Sequence, residues 1–155
     1  MKLYATLILL CFGFTSFGQV GASFNEAKKL GISVKMLDKK HTSAINYVSE
    51  TKVEGPFATR QEEFQEAYIS MLQNLGTFLS KNNFKWEKPT KGFNRIYFNP
   101  DGSIAYFLYN FKPGEVTSEK ENQFNTLLNQ FIKTYKFPMS CEMKFAQCSP
   151  VTYMN

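Results

Sequence analysis

Two stretches of the chain repeat apolar residues at helical spacing. In the first, Phe64, Tyr68, Met71, Leu75 and Phe78 recur every three or four residues, and Ala67, Leu72 and Leu79 widen the stripe. This predicts an amphipathic helix over about 60–81. Thr59 and Glu62 have capping-box spacing, Glu62 and Glu63 lie where the helix dipole favours anions, and Lys81 lies at the other end before Asn82-Asn83. In the second stretch Ser118 and Glu121 again suggest a cap. Phe124, Leu127, Leu128, Phe131, Ile132 and Tyr135 stand opposite Asn125, Asn129 and Lys133. A helix over about 118–136 is expected, ended by Phe137-Pro138.

Between the helices the period changes from three or four to two. Asn99-Pro100-Asp101-Gly102 has Pro at the second turn position and Gly where a positive φ is wanted, which predicts a β-hairpin over about 93–111. With Asn99 paired to Ser103, unbroken alternation sets Phe98 against Ile104, Ile96 against Tyr106 and Arg95 against Phe107. One face then holds Ile96, Phe98, Ile104, Tyr106 and Leu108 and belongs on the helices. The other holds Phe93, Arg95, Tyr97, Ala105, Phe107 and Tyr109, aromatic and polar together.

The rest of the pattern is weaker. Ser23 and Glu26 have capping-box spacing before a short helix that Gly31 would stop, Ile32, Val34 and Met36 alternate as an edge strand would, and Ile45–Val48 suits another strand. Gly55-Pro56 closes this region. Near the end, Glu142–Ala146 alternates as a strand, with an extension to Tyr153 after a break at Pro150. The elements predict an α+β fold: a small antiparallel sheet with the hairpin at its centre, packed on the two amphipathic helices, plus a C-terminal strand. Residues 19–155 would form one domain, with 19–56 weakly patterned.

Residues 1–18 read as an address. Lys2 precedes the apolar run Leu3–Phe12, and small residues stand at Ser16 and Gly18, the three parts of a cleaved secretory signal. Cleavage after Gly18 is expected, with Ala22 as the alternative. The run is shorter than the roughly 20 residues a spanning helix needs, so no transmembrane anchor is expected after cleavage. The predicted location is exported, periplasmic or secreted.

The 155-residue chain is 43% hydrophobic and 16% aromatic, with a formal charge of +5. That suits one ordinary domain and excludes a disordered or fibrous chain. The signal takes away only four aromatics, Tyr4, Phe12, Phe14 and Phe17, so aromatic richness belongs to the mature domain. It also takes Cys11, leaving Cys141 and Cys148, for which export predicts a disulfide. Their spacing is not C-x-x-C, and a single histidine leaves too few donors for a zinc site, so neither cofactor nor metal is expected.

Candidate chemistry is sparse. His41 beside Thr42 and Ser43 lacks a third, orienting group, and Glu62 with Glu66 on one helix face has no partner motif. No catalytic residue is assigned. Four lysines surround Phe84 and Trp86 in the 81–91 connector, a mixture suited either to a ligand or to anchoring rings with solvated charges. The candidate ligand-binding residues are Arg95, Tyr97, Phe107, Tyr109 and Trp86, able to offer stacking and cation–π contacts if the second hairpin face is open. If residues 23–56 cover that face, the same residues are core.

Strand, Asp-Gly turn, strand, helix and then Tyr135-Lys136-Phe137-Pro138 resembles the C-terminal domain of TonB-type energy transducers over residues 93–138. That family has a further residue between Phe and Pro, as well as a Pro-rich spacer and an uncleaved anchor helix. The resemblance implies a protein of the cell envelope. The functional expectation is a noncatalytic exported binding or interaction domain whose partner is an envelope or extracellular protein, a peptide or a glycan, and not nucleic acid. A small exported hydrolase and an inhibitor or immunity-type protein are the alternatives.

Overall fold

The computed structural model describes residues 18–155. The expected signal, except Gly18, lies outside them. In chain order the elements are β1 (Val20–Ser23), α1 (Phe24–Lys29), α2 (Val34–Asp38), β2 (Thr42–Ser43), β3 (Asn46–Tyr47), β4 (Val53–Glu54), α3 (Gln61–Lys81), β5 (Thr90–Phe98), β6 (Ile104–Phe111), α4 (Ser118–Thr134) and β7 (Phe145–Tyr153). The fold is α+β. A five-stranded sheet runs β1-β6-β5-β7-β2, and β3 with β4 forms a separate two-stranded ribbon. The sheet is mixed, not purely antiparallel: β1 lies parallel to β6 and β2 parallel to β7, while β5 is antiparallel to both its neighbours.

The hairpin turn forms as the sequence predicts. Asn99 and Gly102 close it, and Gly102 has φ 85° with the Phe137 carbonyl where a Cβ would stand, so glycine is required there. Asp101 accepts from the Ser103 hydroxyl and N–H and pairs with Lys136 at 3.1 Å, which holds its carboxyl down at about 2.

The register departs from simple alternation one step beyond the turn. Phe98 pairs with Ile104, but Tyr97 pairs with Tyr106, so Ala105 is an extra residue on β6. Every later β6 side chain changes face. Phe107, Tyr109 and Phe111 join Ile96, Phe98 and Ile104 in the larger core under α3 and α4, with Phe64, Met71, Leu75, Phe124, Leu128 and Phe131. Tyr106 and Leu108, expected against those helices, lie with Tyr97 on the opposite face. The four residues Arg95, Tyr97, Phe107 and Tyr109 therefore do not form one surface.

That opposite face is covered by the N-terminal segment. Ala22, Ala27 and Leu37 are buried against Tyr97 and Leu108, with Val20, Phe24, Ile32 and Val34 around them. Ser23 caps α1 through its Oγ, as its spacing predicts, and Gly31 follows at φ 74°. The expected strand at Ile32–Met36 is instead the short helix α2, because the Ser33 hydroxyl accepts the Met36 N–H and begins a turn. Two other caps shift. Arg60, without a side-chain cap, precedes α3 in place of Thr59, and Thr117, not Ser118, caps α4 through the Lys120 N–H. The C-terminal strand starts at Phe145, not at Glu142, and passes Pro150 without a break. Pro150 is tolerated because β2 covers only Phe145 and Ala146, so β7 is an edge strand there.

Asn129, expected on the polar face of α4, turns inward. Its Oδ1 accepts the Gly21 N–H at 2.9 Å and its Nδ2 donates to the Gly21 carbonyl at 2.7 Å. Gly21 must be small: an added Cβ would stand 3.0 Å from Leu128 Cγ. Gln19 Nε2 donates to the carbonyls of Ile104 and Ile132. The Asn129 amide closes the outer edge of β1 at Gly21, and the Gln19 amide ties the residue before the strand to β6 and α4.

Cys141 and Cys148 are free thiols, contrary to the expected disulfide. The Cys141 N–H is held by Pro100 O at the hairpin tip, whereas Cys148 stands opposite Arg95 in extended strand. Pro100 lies five residues along the chain from Arg95, on the order of 15 Å at the usual strand rise. A disulfide needs α-carbons within about 7 Å.

Candidate functional site

The five proposed ligand residues are dispersed. Tyr97, Phe107 and Tyr109 are at most 1% exposed. Trp86 is buried too, edge-on to Phe84 and stacked on Tyr153 at 5.1 Å, so the connector rings are anchors and the lysines around them face water. Glu62 and Glu66 lie on the exposed face of α3.

Arg95 and Tyr97 remain neighbours. The Tyr97 hydroxyl donates to Asp38 Oδ1 at 2.8 Å and Arg95 Nη2 meets the same oxygen at 2.7 Å. Burial pushes the Tyr97 phenol up, and Asp38 adds to the shift. His41 stands edge-on to Tyr97 at 4.9 Å, and its Nδ1 bonds the Leu37 carbonyl at 2.8 Å, which requires the proton on Nδ1. The ring is buried, not on an open loop, and burial lowers its pKa, so it is neutral at pH 7. A cleft of about 250 Å³ follows, lined by Asp38, His41, Ser43, Arg95 and Cys148. Ser43 Oγ donates to Ile45 O at 2.9 Å, so its proton is turned away from the imidazole. This arrangement fixes α2 and β2 to the sheet. It does not assemble a nucleophile with a base.

A larger cleft lies on the other side of the sheet. About 710 Å³ of groove runs between α3 and the end of β7, with Ile69, Leu72 and Gly76 on one wall, Val151 and Tyr153 on the other and Trp86 at its floor. Ile69 and Met154 at its rim are 47% and 61% exposed. Beside it β7 has no strand neighbour beyond Ala146, so on the side away from β5 the alternate residues Cys148, Pro150 and Thr152 turn their main-chain groups outward, unpaired by any described strand. Asn155 closes one end by bonding both main-chain groups of Trp86. Trp86, one of the proposed ligand-binding residues, lines this cleft with its buried ring. Nothing in the local sequence marked Gly76 or the free edge of β7, because both depend on what lies across the fold.

Among the described residues no helix is long and apolar enough to cross a membrane, and no group of three His, Cys, Asp or Glu is placed to hold a metal. The fold and the groove together define a small mixed-sheet α+β domain with one edge open. No family model matches this chain, and neither a curated protein nor a solved structure resembles it significantly.

Proposed function

We propose that the protein is a noncatalytic exported binding domain that holds an extended, apolar peptide segment of an envelope or extracellular protein in the groove between α3 and β7. The observation that carries this is the free β7 edge beside an apolar floor. An unpaired edge offers main-chain donors and acceptors to another strand, and the neighbouring groove accepts its side chains. The partner supplies its own backbone for affinity and apolar side chains for specificity.

Gly76 allows a test that separates binding from folding. Nothing lies within 4 Å of an added Cβ there, and the position is helical. Gly76→Leu should fill the groove while stabilising α3 by about 0.5–1 kcal/mol. A photo-crosslinker at Gln73, on the groove wall, should capture a partner in the producing cell, and Gly76→Leu should abolish the product. An undiminished crosslink in a folded Gly76→Leu protein would overturn the groove as the binding site.

Export rests on the leader pattern, and the fold bears on the choice between the two cleavage sites. A cut after Gly18 spares Gln19 and the whole of β1, whereas a cut after Ala22 would remove three of its four residues. Mass spectrometry of the mature protein should find Gln19 first.

A further inference from the structure

The N-terminal segment that covers Tyr97 is also where the chain's charge collects. Residues 24–40 carry Lys28, Lys29, Lys35, Lys39 and Lys40 against Glu26 and Asp38, whereas residues 41–155 are close to balance, with 12 basic and 11 acidic side chains. Neither acid offsets the five lysines. Asp38 is turned toward the sheet and held by Arg95 and the Tyr97 hydroxyl. Glu26 meets Lys29 at 3.9 Å with 54% and 78% of the two side chains exposed, a pair that contributes little. Among the described residues the other four lysines have no acidic partner.

Local folding turns these ammonium groups to one side. Ala27 of α1 and Leu37 of α2 are buried in the same small core with Tyr97 and Leu108, on the sheet face away from α3 and α4. Lys29 stands two residues from Ala27, and Lys35 and Lys39 stand two from Leu37, about 200° round at helical spacing, so all three lie on the side away from the sheet. Lys28 and Lys40 are exposed beside them. Two apolar side chains accompany the charges: Leu30 at the end of α1 is 65% exposed and Met36 on α2 is 52% exposed. One exposed apolar residue is ordinary. Here Lys28 and Lys29 precede Leu30, and Lys35 and Lys39 bracket Met36. Cations with apolar tips between them match a lipid interface, where phosphates overlie acyl chains and lysine stems lie along apolar surface with their heads at the phosphates. A polyanion with no apolar layer would leave Leu30 and Met36 without a counterpart.

We propose that residues 24–40 dock the protein on an anionic lipid bilayer, with the five lysines at the headgroup phosphates and Leu30 and Met36 entering the boundary with the acyl chains. Each lysine near such a surface multiplies partition by about fivefold. Docking on this face leaves α3 and its groove, which lie across the sheet, clear of the membrane. It needs no ligand in the groove, and each reading can fail alone.

Cosedimentation tests it, using protein purified from the producing cell and vesicles of phosphatidylcholine, either alone or with about one third phosphatidylglycerol, at about 0.1 M salt. Only the anionic vesicles should retain the protein, and about 0.5 M salt should release most of it. Lys35→Gln/Lys39→Gln should weaken partition about 25-fold, whereas Lys85→Gln/Lys133→Gln, an equal loss of charge outside the patch, should change it less than about threefold. Leu30→Gln/Met36→Gln alters two exposed side chains without changing charge and should weaken partition about tenfold. Leu30→Trp should shift its emission to shorter wavelength on the anionic vesicles. The proposal is overturned by no binding to anionic vesicles, by equal binding to phosphatidylcholine alone, or by equal losses from the two lysine pairs. Full binding of Leu30→Gln/Met36→Gln would overturn it too, since the patch would then be a general polyanion site.

Discussion

The two edges of the central sheet are finished in opposite ways. At β1 the outer main-chain groups of Gly21 are bonded by the Asn129 carboxamide, and α4 packs so closely that an added Cβ would press on Leu128. At β7 the short strand β2 covers two residues and then stops. Exposed edges invite pairing with other chains, and proteins usually blunt them. This one blunts the first with side chains and leaves the second open, interrupted at Pro150, which has no N–H, and at Cys148, whose carbonyl the Gln147 carboxamide holds. The difference ties stability to the first edge and makes the second the one on which the proposed recognition rests.

Substitutions should separate the two roles. Asn129→Ala leaves both main-chain groups of Gly21 without their partner and should cost about 2–3 kcal/mol in denaturant unfolding. If the cost were no more than a surface substitution, side-chain sealing of β1 would be wrong. Gly21→Ala should cost about 1–3 kcal/mol, because the new methyl meets Leu128 inside a packed core. At the open edge, Ile69→Gln should change stability by less than about 0.5 kcal/mol while weakening partner capture.

The smallest effect is on pH. His41 precedes β2, and its folded pKa lies below the ordinary value through burial, with Lys144 and Lys40 lowering it further and the Leu37 carbonyl and Asp38 opposing. The stability it contributes is present above the unfolded pKa of about 6.5 and is lost as pH falls toward the lower folded value. Acid should therefore loosen β2 first. Exchange of the Thr42 and Ala44 amides, which bond Lys144 and Ala146, should accelerate below about pH 6.5 relative to amides in β5, and His41→Gln should flatten that dependence.

What was legible in the sequence follows the range of the forces involved. The stripes of α3 and α4 and the Pro-Asp-Gly turn are local, repeated signals, and they located the two long helices and the hairpin within a few residues. β1 was hidden because Val20-Gly21-Ala22-Ser23 has the small residues of a cleavage region, and its pairing partner lies more than eighty residues away. In α2 an alternating apolar triplet suited a strand equally well, and one hydroxyl at Ser33 decided the matter. The candidate aromatic surface failed through Ala105, which carries no mark of a bulge. Burial of Tyr97 by the N-terminal segment was one of the two outcomes the sequence allowed. The groove was not legible, because its walls come from α3, the connector and the C-terminus.

The extra residue at Ala105 makes the hairpin intolerant of length in a way no single side chain reveals. Deleting it would restore strict alternation and, in one step, carry Tyr106, Leu108 and Asn110 to the α3 and α4 side and send Phe107, Tyr109 and Phe111 to the other. Each core would then receive the other's side chains, with Asn110, now exposed, among the aromatic rings. A lineage of such proteins is free to exchange residues along β6 one at a time, but it cannot drift in the count of residues between the turn and Phe111 without exchanging inside for outside.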